Sequence, residues 1–582
     1  MTGFDTPQVD WALVAPVLVV LGAAVVGVLL EAFLPAVARR AAQVALSVGA
    51  TVGALVAIGW SWHRLDDTAG SCVSPDPEAP RALCAMTTDS GALGSLVVDG
   101  MTLVSQAIIV VVALLSVVVM ADRTATKEDA FAPMVSSVPG SQYERLATSR
   151  GLQQTEVYPL VLFATGGMMV FSATADLLTM FVALEVLSLP LYLLSGMARR
   201  RRLQSQEASL KYFLLGSFAS ALFIFGAALI YGATGSLSFS QIATAITWPA
   251  SPVTPTGLDA LLLVGVLLLM VGLFFKVGAV PFHLWTPDVY QGAPTPITGF
   301  MAAGTKVAAF VAMVRVVYAM LPGMGWDMSV LVWTVAIATM VVGSVAVLVQ
   351  GDIKRLLAYS SVAHAGFVLT AVAAGWGTGD TRVVGPWAVL VYLLAYALAT
   401  VGAFTVVALV RERSESGGLT GEATSLSQWA GLGRSNPVIA GCFTVFLLSF
   451  AGIPLTAGFV GKFAVFSAAV KGGAWPLALV GVLASAVAAF AYFKVIVLMY
   501  FPARDERSQI EVAGERTTED GASGTVGEAG AVGTLTVARP RTAAVVATQG
   551  WATVTVGLCA LLTLLLGVLP GGVLTAISNI LQ

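Results

Sequence analysis

Histidine and cysteine are scarce in this chain, with three histidines and four cysteines among 582 residues. The cysteines, Cys72, Cys84, Cys442 and Cys559, form no C-x-x-C pair and no iron–sulfur or zinc spacing. His63, His283 and His364 do not supply the paired histidines on facing helices that a membrane di-haem protein needs. No G-x-G-x-x-G or Walker pattern occurs. The sequence therefore carries no recognisable pattern for a redox cofactor, a metal or ATP. Cys72 and Cys84 share one loop, where they form a candidate disulfide; two unpaired thiols are the alternative.

Charge is the other deficit. Charged residues make up 11% of the chain and hydrophobic residues 57%, whereas a soluble domain has roughly 25% charged residues. With a mean hydropathy of +0.88, the chain reads as an all-α polytopic membrane protein in contact with the lipid bilayer. Its net charge of −2 suggests no nucleic-acid partner. A bilayer core is crossed by roughly 20 apolar residues of helix. Windows of that length give about 14 transmembrane helices, near 11–30, 41–62, 97–120, 156–173, 175–197, 207–231, 258–288, 296–319, 328–350, 355–376, 386–410, 437–470, 474–501 and 548–577. The leading segment MTGFDTPQVD holds acids and no basic residue, unlike a cleaved signal peptide, so the first run is expected to stay as a helix.

Lysine and arginine alternate across the loops. One set of loops holds 20 of them and the opposite set four, Arg64, Arg81, Arg382 and Lys471. The positive-inside rule makes the first set cytoplasmic and puts both termini outside. Six basic residues remain within spans, Lys211, Lys276, Lys306, Arg315, Lys462 and Lys494, and Glu185 is the one acid read well inside a span. Ionisable groups at membrane depth are costly and mark pathways. A low dielectric disfavours an isolated ammonium and a nearby carboxylate restores it, so a buried Glu–Lys pair can switch a proton.

Each candidate has a plainer reading. Glu185 could be a protonated acid bonded to a neighbouring helix, and Lys276, Lys306, Lys462 and Lys211 could snorkel to the surface. His364 is either a relay between halves or a packed, hydrogen-bonded histidine. His283 sits among aromatics beside proline and reads as support for a helix break rather than as a carrier. Arg315 and Lys494 read as end anchors.

The seventh and twelfth spans are too long for one straight crossing: 437–470 would make about 50 Å of helix against a core of about 30 Å. Breaks are expected at Pro281 and across Gly452–Pro454. They lie five spans apart and so run in opposite directions, the layout of two inverted five-helix repeats, helices 4–8 and 9–13. The chain then divides into 1–120 with three helices, a cytoplasmic loop at 121–155, repeats at 156–319 and 328–501, a mobile Gly-rich loop at 503–547 and a last helix in 548–582.

The stretches KVGAVPFHLWTPDVYQGAPTP, LEVLSLPLY, GDIKRLLAYSSVAHAGF and AGIPLTAGFVGKF together resemble subunit N of the proton-pumping NADH:quinone oxidoreductase, respiratory complex I. VYQGAPTP separates it from the sister subunits L and M, and M has a glutamate where Lys462 stands. The resemblance implies a proton-translocating membrane-arm subunit, part of a translocase, with no redox chemistry on this chain. FMN, iron–sulfur clusters, NADH and a quinone would belong to other subunits, subunits K and M would be the neighbours, and the site would be a bacterial inner membrane. Glu185, Lys276, Lys306, Lys462 and His364 then match the family's proton-pathway positions, while Lys211 and His283 remain weaker pathway candidates from the residues alone. The inserted loops depart from the family pattern. An Mrp-type cation/proton antiporter, a hydrogenase membrane subunit and a pure scaffold are the competing readings.

Overall fold

A computed structural model of the chain describes residues 8–67, 82–84, 86–87, 94–124, 129–133, 141–150, 153–247, 259–374, 381–413, 419–501, 543–572, 574, 575 and 577. Among them, twelve helices are long and apolar enough to cross a membrane. The expected spans at 156–173 and 437–470 coincide with shorter apolar helices, Val157–Ala173 and Pro437–Ala451. The Cys72–Cys84 pairing lies outside the described residues, as does most of the Gly-rich loop.

Aspartates start several helices. Asp10, Asp99, Asp176 and Asp352 each stand at an N-cap and accept a backbone N–H from the first turn, as from Thr102 N at 2.7 Å and Thr179 N at 2.8 Å. Such caps satisfy donors that the helix leaves unpaired.

Burial grades inward. Helices Trp11–Phe33, Ala36–Asp67, Trp475–Tyr500 and Trp551–Val568 leave most of their surface outside the bundle. Helices Thr295–Arg315, Ile353–Ala373 and Thr381–Leu409 are almost wholly enclosed. Small residues permit this: in TPITGFMAAGTKVAAF alanine, glycine and threonine let neighbouring backbones approach. Helices Gly325–Leu348 and Ile353–Ala373 touch at Gly343 and Gly366. A Cβ on Gly343 would lie 2.5 Å from Ala363 N, and one on Gly366 2.7 Å from Met340 N.

Both expected breaks are present. Helix Asp259–Val277 ends at Gly278, φ +74°, and the chain resumes as Trp285–Gly292. Helix Pro437–Ala451 ends at Gly452, φ +78°, and resumes as Ala457–Lys471. Pro281 and Pro454 fall inside these gaps. Backbone groups freed at the breaks find partners: Val280 N donates to Thr339 Oγ1 at 3.0 Å, Trp285 Nε1 to Phe275 O at 2.9 Å, and Gly458 N to Ser449 Oγ at 3.0 Å. Irregular backbone at membrane depth survives only with such internal satisfaction.

Short strands occur between the spans on both faces. On the arginine-rich face Val410–Arg413 pairs antiparallel with Leu419–Glu422 on one side and Ala543–Val545 on the other. Residues 543–545, assigned from sequence to the loop 503–547, are thus tied to the bundle.

Gly343→Leu should force the two central helices apart and reduce the amount of protein in membranes severalfold, with a lowered melting temperature in detergent. Gly59→Leu, where nothing lies within 4 Å of an added Cβ, should change neither; equal behaviour of the two variants would contradict the close-contact account.

Candidate functional site

The two breaks each place a lysine at the C-terminal end of a half-helix. Carbonyls there lack intrahelical donors and carry the negative end of the helix dipole. Lys276 lies in the last turn of Asp259–Val277. Lys462 comes from the next half-helix and folds back onto the end of Pro437–Ala451, donating to Phe450 O at 2.7 Å, Ala451 O at 3.0 Å and Ser485 Oγ at 2.6 Å. Gly452 makes room for it: a Cβ there would lie 2.7 Å from Lys462 Cδ. The return requires Leu455 at φ +72°, a conformation that non-glycine residues rarely adopt and that costs about 1–3 kcal/mol.

Lys276 is 3% exposed and donates to Ser188 Oγ at 2.6 Å, with its ammonium 5.7 Å from the centre of the Tyr212 ring. Ser188 is one turn after Glu185 on helix Leu177–Ser195. Glu185 is half-buried, and its Oε1 is enclosed without a hydrogen-bond partner.

Lys306, also 3% exposed, lies midway along the enclosed helix Thr295–Arg315. It donates to Ser361 O and faces the Tyr396 ring at 5.7 Å, while Tyr396 Oη donates to Ser361 Oγ at 2.8 Å. His364 follows one turn on from Ser361. Its Nδ1 is 2.5 Å from Tyr392 Oη, and its Nε2 is buried without a partner. A cavity of about 10 Å³, lined by His364, Tyr392, Tyr396, Ser449 and Phe450 among others, adjoins the ring. That is close to the space one water needs. Phe450, whose carbonyl receives Lys462, thus closes a row from Lys306 through Ser361, Tyr396 and His364 to Lys462.

Between Lys276 and Lys306 the filling is aromatic. Tyr212 stacks on Trp285 at 4.6 Å, and Trp285 meets Tyr290 edge-on at 6.2 Å. Tyr212 Oη is buried without a partner.

The other sequence candidates stand apart from this row. Lys211 is 42% exposed and pairs with Glu207 at 2.7 Å and Asp288 at 2.8 Å. Arg355 shares Asp288 at 2.8 Å, making a charge cluster on the arginine-rich face. His283 is 7% exposed within the first break; its Nδ1 has no partner and its ring centre is 6.4 Å from that of Tyr359.

Two buried ion pairs were not read from sequence. Arg315, taken as an end anchor, is 7% exposed and bonds Asp99 at 2.7 Å and Ser172 O at 2.7 Å. Lys354, counted as a loop cation, is 2% exposed; it donates to Ala293 O at 2.8 Å and pairs with Glu422 at 3.5 Å. Burial pushes the Glu422 carboxyl up, but Lys354, Arg411, the Thr295 hydroxyl and Arg201 together hold it below the usual value. The Asp-cap spacing in GDIKRLL places Lys354 inside a helix, a usable signal, whereas nothing local marks Glu422 as its partner. The hydroxyl relays were missed because a census of charges passes over them; Tyr392 and Tyr396, four apart in VYLLAY, do share a helix face.

Buried cations therefore fall into two kinds. Lys354 and Arg315 have carboxylates; Lys276, Lys306 and Lys462 are held by carbonyls, hydroxyls and rings, with no ion pair among the described residues. Among those residues no group of three or more His, Cys, Asp and Glu side chains forms a metal site.

Comparison with known proteins places the chain in a family. The family model described as NADH:quinone oxidoreductase/Mrp antiporter, TM matches residues 174–488. NADH-quinone oxidoreductase subunit N of Beutenbergia cavernae is 57% identical over 83% of this chain and 86% of its own length. The subunit N of a Nocardioides species is 47% identical over 99% of this chain and 98% of its own. A chain of respiratory complex I from Thermus thermophilus superposes with a TM-score of 0.67 at 31% identity, covering 97% of this chain and 99% of that one. A chain of the Mrp complex of a Dietzia species shares the fold, with a TM-score of 0.69 at 21% identity over 97% of both chains. The chain belongs to the NADH-quinone oxidoreductase subunit N family, within the antiporter-like membrane proteins that complex I and Mrp complexes share.

Proposed function

We propose that this chain is a proton-translocating membrane-arm subunit of a bacterial NADH:quinone oxidoreductase, moving protons along Glu185, Lys276, Lys306, His364 and Lys462. The single observation that carries this reading is the set of three deeply buried lysines without carboxylate partners. A lysine kept for architecture at this depth is expected to be paired, as Lys354 is with Glu422. An ammonium held by neutral dipoles, with no carboxylate in ion-pair contact, can lose and regain its proton without breaking a salt bridge.

Glu185 is the entry of the row. Glu185 and Lys276 make no ion-pair contact, but a carboxylate on a neighbouring helix still attracts a buried ammonium through a low-dielectric interior and favours its charged form. Withdrawing or protonating the Glu185 carboxylate removes that attraction from Lys276, which then releases its proton more readily. Glu185 is half-buried at the edge of the isolated chain, a position from which an adjoining subunit can act on it. The aromatic layer of Tyr212, Trp285 and Tyr290 bars passive leakage toward Lys306 until water enters. Ser361, Tyr396 and His364 then carry the proton to Lys462. Outward movement against 100 mV costs about 2.3 kcal/mol per charge.

In this account residues 156–319 and 328–501 act as inverted repeats about the row, and subunits K and M flank the chain. The 20-to-4 distribution of basic residues supports cytoplasmic placement of the arginine-rich face, with both termini outside. NADH oxidation and quinone reduction, with FMN and iron–sulfur clusters, belong to other subunits. Pro281 and Pro454 keep the breaks open, His283 braces the first of them, and Lys211 anchors the cytoplasmic surface.

Membranes carrying Lys276→Ala should contain assembled complex on native gels, yet show proton uptake into vesicles reduced at least severalfold and coupled NADH oxidation depressed with it. Normal uptake by assembled Lys276→Ala complex would refute the switch. Lys354→Ala should behave differently. It removes the ion-pair partner of Glu422, which keeps Arg411, Arg201 and the Thr295 hydroxyl, and the lost buried interaction costs about 1–3 kcal/mol, so the amount of assembled complex should fall; complex that assembles at wild-type level would overturn the division of the buried cations.

A further inference from the structure

A second site lies on the arginine-rich face, away from the proton row. Helix Ala36–Asp67, the end of helix Gly100–Ala121, the segment around Gln153 and the start of helix Trp551–Val568 enclose a cleft of about 1020 Å³. Its inner wall is apolar, formed by Val44, Val48 and Val118 beside Gly49. Four guanidiniums, those of Arg39, Arg40, Arg123 and Arg150, line its mouth. Trp551, 57% exposed, stands at the same level, where an indole suits a membrane–water boundary.

The arginines are not all neutralised from within. Arg39 pairs with Glu31 at 3.3 Å and Arg40 with Asp129 at 3.2 Å. Arg123 donates to the Gln153 side chain, but its Nε is buried without a partner. Burial, and then the neighbouring Arg40 guanidinium, hold Arg123 below its ordinary value. Arg150 is exposed and takes part in no ion pair among the described residues. The partly buried Arg123 guanidinium and the exposed Arg150 at the rim thus leave the cleft with more donors than acceptors. A phosphate monoanion or diester supplies the missing acceptors in a geometry that guanidinium matches. The apolar wall below has no use for a free ion, but it suits an acyl chain that reaches down from the headgroup level.

We propose that this cleft binds an anionic phospholipid, its phosphodiester held by Arg123 and Arg150 with Arg40 alongside, and an acyl chain laid against Val44, Val48 and Val118. The assignment needs the chain to lie in a membrane but not the proton pathway. Basic pockets between helices on the cytoplasmic side are where such headgroups collect.

The test uses the whole complex, purified in detergent and stripped of lipid. Phosphatidylglycerol with a photoreactive acyl chain is the probe, phosphatidylcholine with the same chain the zwitterionic control, and inorganic phosphate the small-anion control. Saturable crosslinking of phosphatidylglycerol to the peptides containing Val44–Gly49 or Val118 is expected. Losing two basic contacts at about 1 kcal/mol each should weaken it roughly thirtyfold in Arg123→Gln/Arg150→Gln. If the double variant does not assemble, Arg150→Gln alone should weaken it roughly fivefold. Equal capture of the two lipids, or no change in either variant, overturns the proposal. Protection of Arg150 from an arginine-specific reagent by inorganic phosphate, without acyl crosslinking, assigns the cleft to a free anion and overturns it as well. Crosslinks from this face to another protein chain in place of lipid do the same. None of these readouts depends on proton pumping.

Discussion

An ammonium buried in a membrane without a carboxylate beside it is the constraint around which this bundle is arranged. Neutral dipoles must supply what water or an anion would otherwise give, and an unbroken helix has few to spare. Breaking helices Asp259–Val277 and Pro437–Ala451 at Gly278 and Gly452 creates spare carbonyls and dipole ends at membrane depth. Lys462 uses them directly through Phe450 O and Ala451 O, and Lys276 sits in the corresponding last turn. The proline, the left-handed glycine and the strained Leu455 follow from the need to turn the chain around such a lysine.

Enclosure is the second half of the same requirement. The helices that carry Lys306, His364, Tyr392 and Tyr396 are also the most completely buried ones, and alanine recurs along all three. Small side chains bring backbones close and leave serine and tyrosine hydroxyls as the polar fill. The result is a narrow polar thread with unsaturated points at Glu185 Oε1, Tyr212 Oη and His364 Nε2. Unpaired buried atoms are costly in a passive core. Here three of them line the row of buried lysines. The paired cations Lys354 and Arg315 sit at opposite ends of the thread's helices and fix them, while the three lysines held by neutral dipoles lie between.

Much of this was legible in the sequence, for physical reasons that differ by feature. Spans and breaks could be read because apolar length and the proline and glycine interruptions are local properties. The five pathway candidates stood out because a charge among some twenty apolar neighbours is conspicuous. Subunit N family membership, inferred from motifs such as VYQGAPTP, is borne out by the relatives. What stayed hidden depends on contacts between distant segments. Glu422 reaches Lys354 from a strand, and Asp99 reaches Arg315 across 216 positions. Tyr392 and Tyr396 were unremarkable until the fold put His364 and Lys306 against them.

The central claim, that Lys276, Lys306 and Lys462 exchange protons during turnover, is tested most directly by infrared difference spectroscopy. The complex would carry isotope-labelled lysine, and spectra would be taken at rest and during steady NADH oxidation in sealed proteoliposomes. The account predicts a loss of labelled ammonium bands in turnover that disappears when the three lysines are replaced by methionine. Ammonium bands that stay constant through turnover in the wild-type complex would contradict it.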